Sequence, residues 1–173
     1  MMRRLPFSLT LLALSLSLGG CAFQETIQSG TDDPCATMQN IVTDYPTGFS
    51  DFRKSGSNFR SLTIYRAKEE LIRGHCEIWA WGDGDSAYVC SIGAPDPEVA
   101  RARYSQTVEK ISGCLGPEWQ PEEKVRERNG EAAGMATVFL QKGGQSPAVS
   151  VHRIEERSSQ SIYLYIGSPG RKL

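Results

Sequence analysis

The sequence predicts an α+β domain in which two helices pack on an antiparallel sheet, in the order α-β-β-β-α-β-β-β. Three observations support this fold class. Two segments that each begin with Asp-Pro carry apolar residues at helical spacing, six short segments alternate with turn residues, and four cysteines could form two disulfide bonds that staple the domain. The order also suggests that the two halves of the chain repeat one helix and three strands.

The two helices are predicted from their ends and from their apolar stripes. The first begins at Asp33-Pro34, where the aspartate suits the N-cap and the proline suits the first helical position, and Pro46 ends it. The second begins in the same way at Asp96-Pro97 and ends at Gly116-Pro117. Apolar residues recur at helical spacing in both segments, so each helix is expected to bury one face.

Six segments are predicted to be strands because they alternate in polarity or are rich in β-branched and aromatic residues. Two of them flank Gly82-Asp83-Gly84, a compact hairpin signal. No element is assigned between Gly116 and Gly134. The predicted strands are Arg60–Arg66, His75–Trp81, Asp85–Ile92, Met135–Gln141, Ala148–Ile154 and Ser161–Gly167.

The N-terminal segment has the layout of an export signal. A basic head, Met1–Arg4, precedes the apolar segment Leu5–Leu18, which is shorter than the roughly 20 residues that a bilayer-spanning helix needs. The quartet Leu18-Gly19-Gly20-Cys21 resembles the lipobox of bacterial lipoproteins, in which an aliphatic residue and two small residues precede the cysteine that receives a lipid. A soluble secretory signal is the alternative, but such signals usually have no cysteine at the cleavage site.

The lipobox resemblance implies where the protein is held. The signal peptide, residues 1–20, would be removed, and Cys21 would carry a diacylglycerol and an acyl chain such as palmitate. Several chains attach a protein stably, since each buried methylene contributes about 0.8 kcal/mol. Lipoproteins of this type with Asp after the cysteine tend to stay in the inner membrane, whereas this chain has Ala22. The resemblance therefore implies the outer membrane, with the domain facing the periplasm.

The mature chain is predicted to have a simple organisation. Residues 21–32 are polar and contain Gly and Ser, which predicts a flexible tether that spans at most about 40 Å. Residues 33–169 have the length of one domain, and residues 170–173 form a short tail.

Four cysteines remain when Cys21 carries lipid, and an even number in an oxidising compartment predicts two disulfide bonds. Counting outward from the predicted hairpin turn places Cys76 opposite Cys90, at a distance that a cross-strand bond can span. Cys35 and Cys114 then remain, each on the apolar stripe of its helix. A bond between them would close a loop of about 80 residues and stabilise the fold by about 4 kcal/mol.

The alternatives for these cysteines are a zinc site or a redox pair. Both would usually show closely spaced Cys-x-x-Cys motifs, and the sequence contains none. Structural disulfides are therefore the favoured interpretation, and no metal or cofactor is expected.

Charge and motifs exclude several other classes of function. Removal of the signal peptide leaves 17 of the 19 basic side chains against 20 acidic ones, with no basic stripe that would suit a nucleic acid. No serine lies in a Gly-x-Ser-x-Gly motif. The segment Gly82–Ser86 resembles the start of a calcium loop but lacks the distal acidic ligand, so it is interpreted as a turn.

One strand carries the residues of greatest functional interest. His75, Glu77, Trp79 and Trp81 share one of its faces because they are two residues apart. His75 and Glu77, together with Asp85, could perform acid–base chemistry beside an aromatic platform. The simpler interpretation is a strand face whose tryptophans pack against the rest of the domain. Trp79 and Trp81 are also candidates for contact with a partner, since tryptophan is enriched in binding hot spots.

Three functions follow as hypotheses. The leading one is a non-enzymatic binding or accessory module of the cell envelope that contacts a protein partner, supports an assembly or inhibits a toxin in the manner of an immunity protein. The alternative is an envelope hydrolase that acts on cell-wall or glycan material through His75, Glu77 and Asp85. A third hypothesis is a small ligand bound between the sheet and the helices.

Overall fold

The computed structural model of the chain describes residues 27–74, 76–144, 147–169 and Arg171. The predicted signal peptide (1–20), the predicted lipidation site Cys21 and the candidate acid–base residue His75 lie outside these residues. The described helices are α1 (Pro34–Asp44) and α2 (Pro97–Leu115). The strands are β1 (Arg53–Phe59), β2 (Leu62–Ala67), β3 (Cys76–Trp81), β4 (Ser86–Ala94), β5 (Trp119–Arg128), β6 (Glu131–Gln141), β7 (Ala148–Glu155) and β8 (Gln160–Gly167).

All eight strands form one antiparallel sheet in the order β1-β2-β3-β4-β8-β7-β6-β5. In the described part of the chain, each half has one α-helix followed by a four-stranded meander. The two meanders are joined where β4 pairs with β8. The strand order is therefore symmetric about this central pair, and β8, the last of the described strands, lies in the middle of the sheet.

The predicted order of one helix and three strands in each half is wrong, because each half has a fourth strand. The missed strands, β1 and β5, are the two edges of the sheet. Six of the seven residues of β1 are exposed, and β5 is mostly charged and contains Pro121. An edge strand does not have to bury every second side chain, so its sequence need not alternate in polarity. Charges and proline at an edge also prevent pairing with another chain. The six other strands overlap the predicted segments.

The two helices form a layer on one face of the sheet, and α2 makes most of the contact with the strands. Both start as predicted, since Asp33 accepts a hydrogen bond from the N–H of Ala36 (3.0 Å) and Asp96 accepts one from Val99 (2.8 Å). The longer helix α2 lies against β4, β7 and β8, whereas α1 mainly contacts α2 and the short turns that follow α1. The prediction that both helices pack on the sheet is therefore not confirmed, because α1 packs mainly against α2. Neither described helix is both long and apolar enough to cross a bilayer.

Both predicted disulfide bonds are confirmed. Cys76 and Cys90 are direct partners in the β3–β4 register, with their Cα atoms 4.1 Å apart. Cys35 and Cys114 connect the start of α1 to the end of α2 across 79 residues of sequence. One bond therefore fixes a hairpin of the sheet and the other fixes the helix layer.

The described end of the predicted tether is hydrogen-bonded to the domain. The N–H of Gly30 donates to the carbonyl of Glu70 (2.9 Å), and the N–H of Arg73 donates to the carbonyl of Gln28 (3.0 Å). Residues 28–30 thus run beside the loop between β2 and β3, immediately before α1.

Candidate functional site

The face of the sheet opposite the helices, here called the open face, carries its own apolar cluster. Side chains alternate along a strand, so every second residue of the central strands points away from the helix layer. All six members of the cluster lie on β3, β4 and β8. They are the buried residues Ala87, Val89 and Tyr165 and the half-buried residues Trp79, Trp81 and Tyr163. The structure therefore places the two predicted tryptophans on the open face.

The apolar surface continues from these tryptophans to the edge of the sheet. Leu62 of β2 pairs with Trp81 on one side and with Phe59 of β1 on the other, and Ile64 pairs with Trp79. The side chain of Phe59 is 57% exposed, although it is large and apolar. We call these five residues, Phe59, Leu62, Ile64, Trp79 and Trp81, the aromatic patch.

The two tryptophan rings do not form a flat platform. Their centroids are 6.2 Å apart and their planes meet at 77°, an edge-to-face arrangement that stabilises aromatic pairs. The indole N–H of Trp79 donates to Oε2 of Glu77 at 2.8 Å. Glu77, which the sequence marked as a candidate acid, therefore orients Trp79.

Arg171 covers one face of Trp81. Its guanidinium carbon lies 4.1 Å from the ring centroid, which is a cation–π contact. The same guanidinium forms ion pairs with Asp83 and Asp85 in the hairpin turn. Its hydrogen bond lowers the pKa of Asp83 below the usual range of a carboxyl. A cation of the protein itself thus occupies these two acids, and the described residues hold no group of three or more side chains placed to bind a metal ion.

The structure does not bring the described members of the predicted acid–base set together. Glu77 faces Val89 in the middle of the β3–β4 hairpin, whereas the backbone of Asp85 pairs with that of Trp81 beside the turn. Four residues of strand, about 13 Å, separate the two positions. His75, the third member, lies outside the described residues.

A histidine site that the sequence reasoning missed lies on the open face of β7. Nδ1 of His152 is 2.7 Å from Nη1 of Arg126, and its Nε2 is 2.8 Å from Oγ of Ser150. An arginine can only donate, so Nδ1 accepts and Nε2 donates its proton to the serine oxygen. Burial, together with the charge of Arg126, lowers the pKa of His152 to about 4. This neutral imidazole already directs a proton at Ser150 and therefore cannot act as its base.

The sequence held only half of the signal for this site. Ser150 and His152 are two residues apart in a predicted strand, which places them on one face. The contact with Arg126 depends on β5, for which no strand was predicted. A contact between residues of β5 and β7, which lie on either side of β6, could not be inferred without the edge strand β5.

A cavity of about 390 Å³ lies on the other side of the sheet, within the helix layer. We call it the helix-side cavity. It opens between the start of α1, the second half of α2 and the loop between β2 and β3. Its apolar walls include Ile27, Leu71, Ile72, Ile111 and Leu164.

The chain matches no protein-family model, no curated protein and no solved structure. Two candidate binding features among the described residues are the aromatic patch and the helix-side cavity. They lie on opposite sides of the sheet, so occupation of one leaves the other accessible.

Proposed function

We propose that the protein is a lipid-anchored, non-enzymatic binding or accessory module of the cell envelope, and that its aromatic patch contacts a protein partner. One observation carries the proposal. Five large apolar side chains from three adjacent strands meet on a sheet face that no described helix covers. Contiguous apolar surface of this kind marks interaction sites, and tryptophan is enriched where binding energy concentrates.

The geometry of the patch favours a protein over a sugar. A sugar ring stacks on a flat, accessible aromatic face, but Trp79 and Trp81 are nearly perpendicular and Arg171 lies over Trp81. A protein partner needs instead an apolar centre surrounded by polar groups. Charged side chains surround the patch on the same face or in the adjoining turn, namely Arg66, Glu77, Asp83, Asp85 and Arg171.

The proposed location rests on the lipobox-like quartet that ends at Cys21. Two disulfide bonds support an oxidising compartment, because such bonds persist outside the cytosol. A lipid on Cys21 would hold the module on the outer membrane with the domain in the periplasm. The partner would then be another envelope protein, either a component of an assembly or a toxin that the module inhibits.

The partner surface is tested by crosslinking in the envelope with the full chain. Phe59→Ser and Trp79→Ala should each lower the yield of a specific crosslinked complex at least tenfold, because they remove apolar contact area from the patch. Leu140→Ser is the matched control. Leu140 is 39% exposed and lies in β6, in the half of the sheet away from the aromatic patch. Its complex should form as in the unmodified chain. Phe59→Ser and Leu140→Ser replace exposed side chains and should keep their melting temperature within a few degrees, whereas Trp79→Ala also removes packing against Trp81 and should lower it.

Two results would overturn this assignment. One is a complex whose yield is unchanged in both patch variants. The other is hydrolysis of cell-wall or glycan material by the purified chain that Glu77→Gln abolishes without loss of folding, which would favour the hydrolase alternative.

The anchor is tested separately. Cys21→Ala should lose labelling by palmitate and move to the soluble fraction. Ala22→Asp should keep the label but move to the inner membrane, in keeping with the pattern that the lipobox resemblance implies. Continued labelling and membrane fractionation of Cys21→Ala would exclude the proposed anchor.

A further inference from the structure

We infer that the helix-side cavity binds the acyl chain of a zwitterionic monoacyl phospholipid. The inference rests on the proposed function only for the source of the ligand, which is the membrane to which Cys21 would attach the protein. The cavity itself is defined by described residues alone.

The walls of the cavity suit one hydrocarbon chain. Its volume of about 390 Å³ lies near the lower end of the roughly 300–1,000 Å³ that is usual for ligand sites, which favours one chain over two. Leu71, Ile72, Ile111 and Leu164 contribute to its walls, and none of them is more than 9% exposed. An acyl chain that enters the cavity would thus exchange water for apolar contacts on several sides.

These walls are fixed before any ligand arrives. The buried hydroxyl of Tyr88 accepts a hydrogen bond from the N–H of Leu71 and donates one to the carbonyl of Glu69, which holds the loop wall. The Cys35–Cys114 disulfide holds α1 and α2 together at the other wall. A preformed site loses little conformational entropy when it binds.

One polar atom of a lining residue indicates which chemical group of the ligand lies next to the acyl chain. Among the described residues, Oε1 of Gln106 is buried and has no hydrogen-bond partner. This oxygen is not accessible from the cavity, so the Gln106 amide must turn before a ligand can reach it. An unpaired buried acceptor is unfavourable, so a ligand that then donates an O–H or N–H to it would be preferred. The free glycerol hydroxyl of a monoacyl phospholipid is such a donor, and it lies directly beside the acyl ester.

The charged residues of the lining suit a headgroup that carries both signs. Lys110 can meet a phosphate, while Asp33 and Glu109 can meet an ammonium group. A free fatty acid would bring only a carboxylate to a rim that already has two acids. The arrangement therefore favours a phosphoethanolamine headgroup.

One wall residue of the cavity is close in sequence to Cys21, the proposed attachment point to the membrane. Ile27 contributes to the wall, and Cys21 is six residues earlier, a span of at most about 20 Å. A lipid that leaves the bilayer would thus have a short path to the cavity. The acyl chains on Cys21 itself are the competing occupant, and the test separates the two.

The experiment titrates lysophosphatidylethanolamine with one palmitoyl chain, below its micelle concentration, into the full chain that carries Cys21→Ala. Calorimetry should show saturable binding, and native mass spectrometry should show one lipid per chain. Palmitate should bind at least tenfold more weakly, because it lacks the ammonium group and the glycerol hydroxyl.

Two adjacent substitutions in α2 test the location. Gly113 contributes to the lining, and a Cβ built there meets no atom within 4 Å, so Gly113→Leu adds volume without a backbone clash. It should weaken binding at least tenfold. Ser112→Leu adds the same side chain at an exposed position and should leave the affinity unchanged. Gln106→Leu should weaken binding while it raises the melting temperature, because the unpaired acceptor is removed.

Each opposite result overturns a defined part of the proposal. Absence of saturable binding, or equal affinity in Gly113→Leu and Ser112→Leu, excludes the cavity as the site. Equal affinity for palmitate excludes the headgroup assignment. If the lipidated protein binds no probe while Cys21→Ala binds it, the occupant is the anchor's own acyl chain. Failure of palmitate labelling would remove the anchor but leave the titration result standing.

Discussion

The hydroxyl oxygen of Tyr88 lies 3.1 Å from the backbone nitrogen of Leu71 and accepts its hydrogen bond. Tyr88 is fully buried on a central strand, whereas Leu71 belongs to the loop between β2 and β3, 17 residues earlier. Burial raises the pKa of Tyr88, so its hydroxyl keeps its proton and can donate to Glu69 as well. One phenol thus connects the sheet to the wall of the helix-side cavity.

Tyr88→Phe should lower the free energy of unfolding by about 1–3 kcal/mol, because the N–H of Leu71 would lose its acceptor inside the protein. Urea denaturation measures this change. Tyr163→Phe, at a half-buried position on the open face, is the control and should change the free energy by less than about 0.5 kcal/mol. Equal effects of the two substitutions would contradict the role given to Tyr88.

Stability should fall as the pH is lowered from about 6.5 to about 4, and His152 should be one cause. The folded protein holds the pKa of His152 at about 4, whereas an unfolded chain binds a proton near 6.5. In this window the unfolded state binds more protons, so acidification favours it, by up to about 3 kcal/mol in total.

His152→Gln should make the pH dependence shallower between pH 6.5 and pH 4, since glutamine does not titrate there. Chemical denaturation at several pH values gives the difference in the free energy of unfolding between the two proteins. Both proteins contain the same carboxylates, so the contribution of these groups cancels in this difference. Parallel curves would show that His152 takes up a proton equally well in the folded state.

The bond between Cys35 and Cys114 should contribute about 4 kcal/mol, because it closes a loop of 79 residues in the unfolded chain. The double variant Cys35→Ala with Cys114→Ala should show this loss in urea denaturation. It should also loosen the cavity wall and weaken lipid binding. A loss below about 1 kcal/mol would show that packing alone holds α1 against α2.

Two glycines should respond to alanine in opposite directions. At Gly134, where φ is +128°, a Cβ would lie 1.9 Å from the carbonyl oxygen of Arg153, so Gly134→Ala should destabilise the protein by about 3 kcal/mol or more. Gly113→Ala places its methyl group in open space on a helix and should stabilise by up to about 1 kcal/mol. Thermal denaturation of both variants checks the pair, and a change of the same sign in both would contradict it.

Local patterns were sufficient to predict several parts of the fold. The hairpin turn sets the register of its two strands, so counting from it was enough to pair Cys76 with Cys90. The Asp-Pro pairs located the starts of both helices for an equally local reason. The edge strands lack such patterns. In β1, buried and exposed residues do not alternate. The charges and the proline of β5 suit the edge of a sheet, but they do not look like a strand in the sequence.

The candidate sites depend on contacts that the sequence does not encode locally. Alternation placed Trp79 and Trp81 on one strand face, but only the packing of α2 decides which face stays open. Phe59 joins the patch through the missed strand β1. Arg171 reaches Trp81 from 90 residues further along the chain.

The central position of β8 affects the order in which the protein can fold. Val89 in β4 pairs with Tyr165 in β8, so the two half-sheets cannot join until β8 is present. Before that moment β4 and β7 each present an unpaired edge, which makes the incomplete chain prone to wrong pairing. During the export proposed above, this topology would delay the finished core until β8 has crossed the membrane.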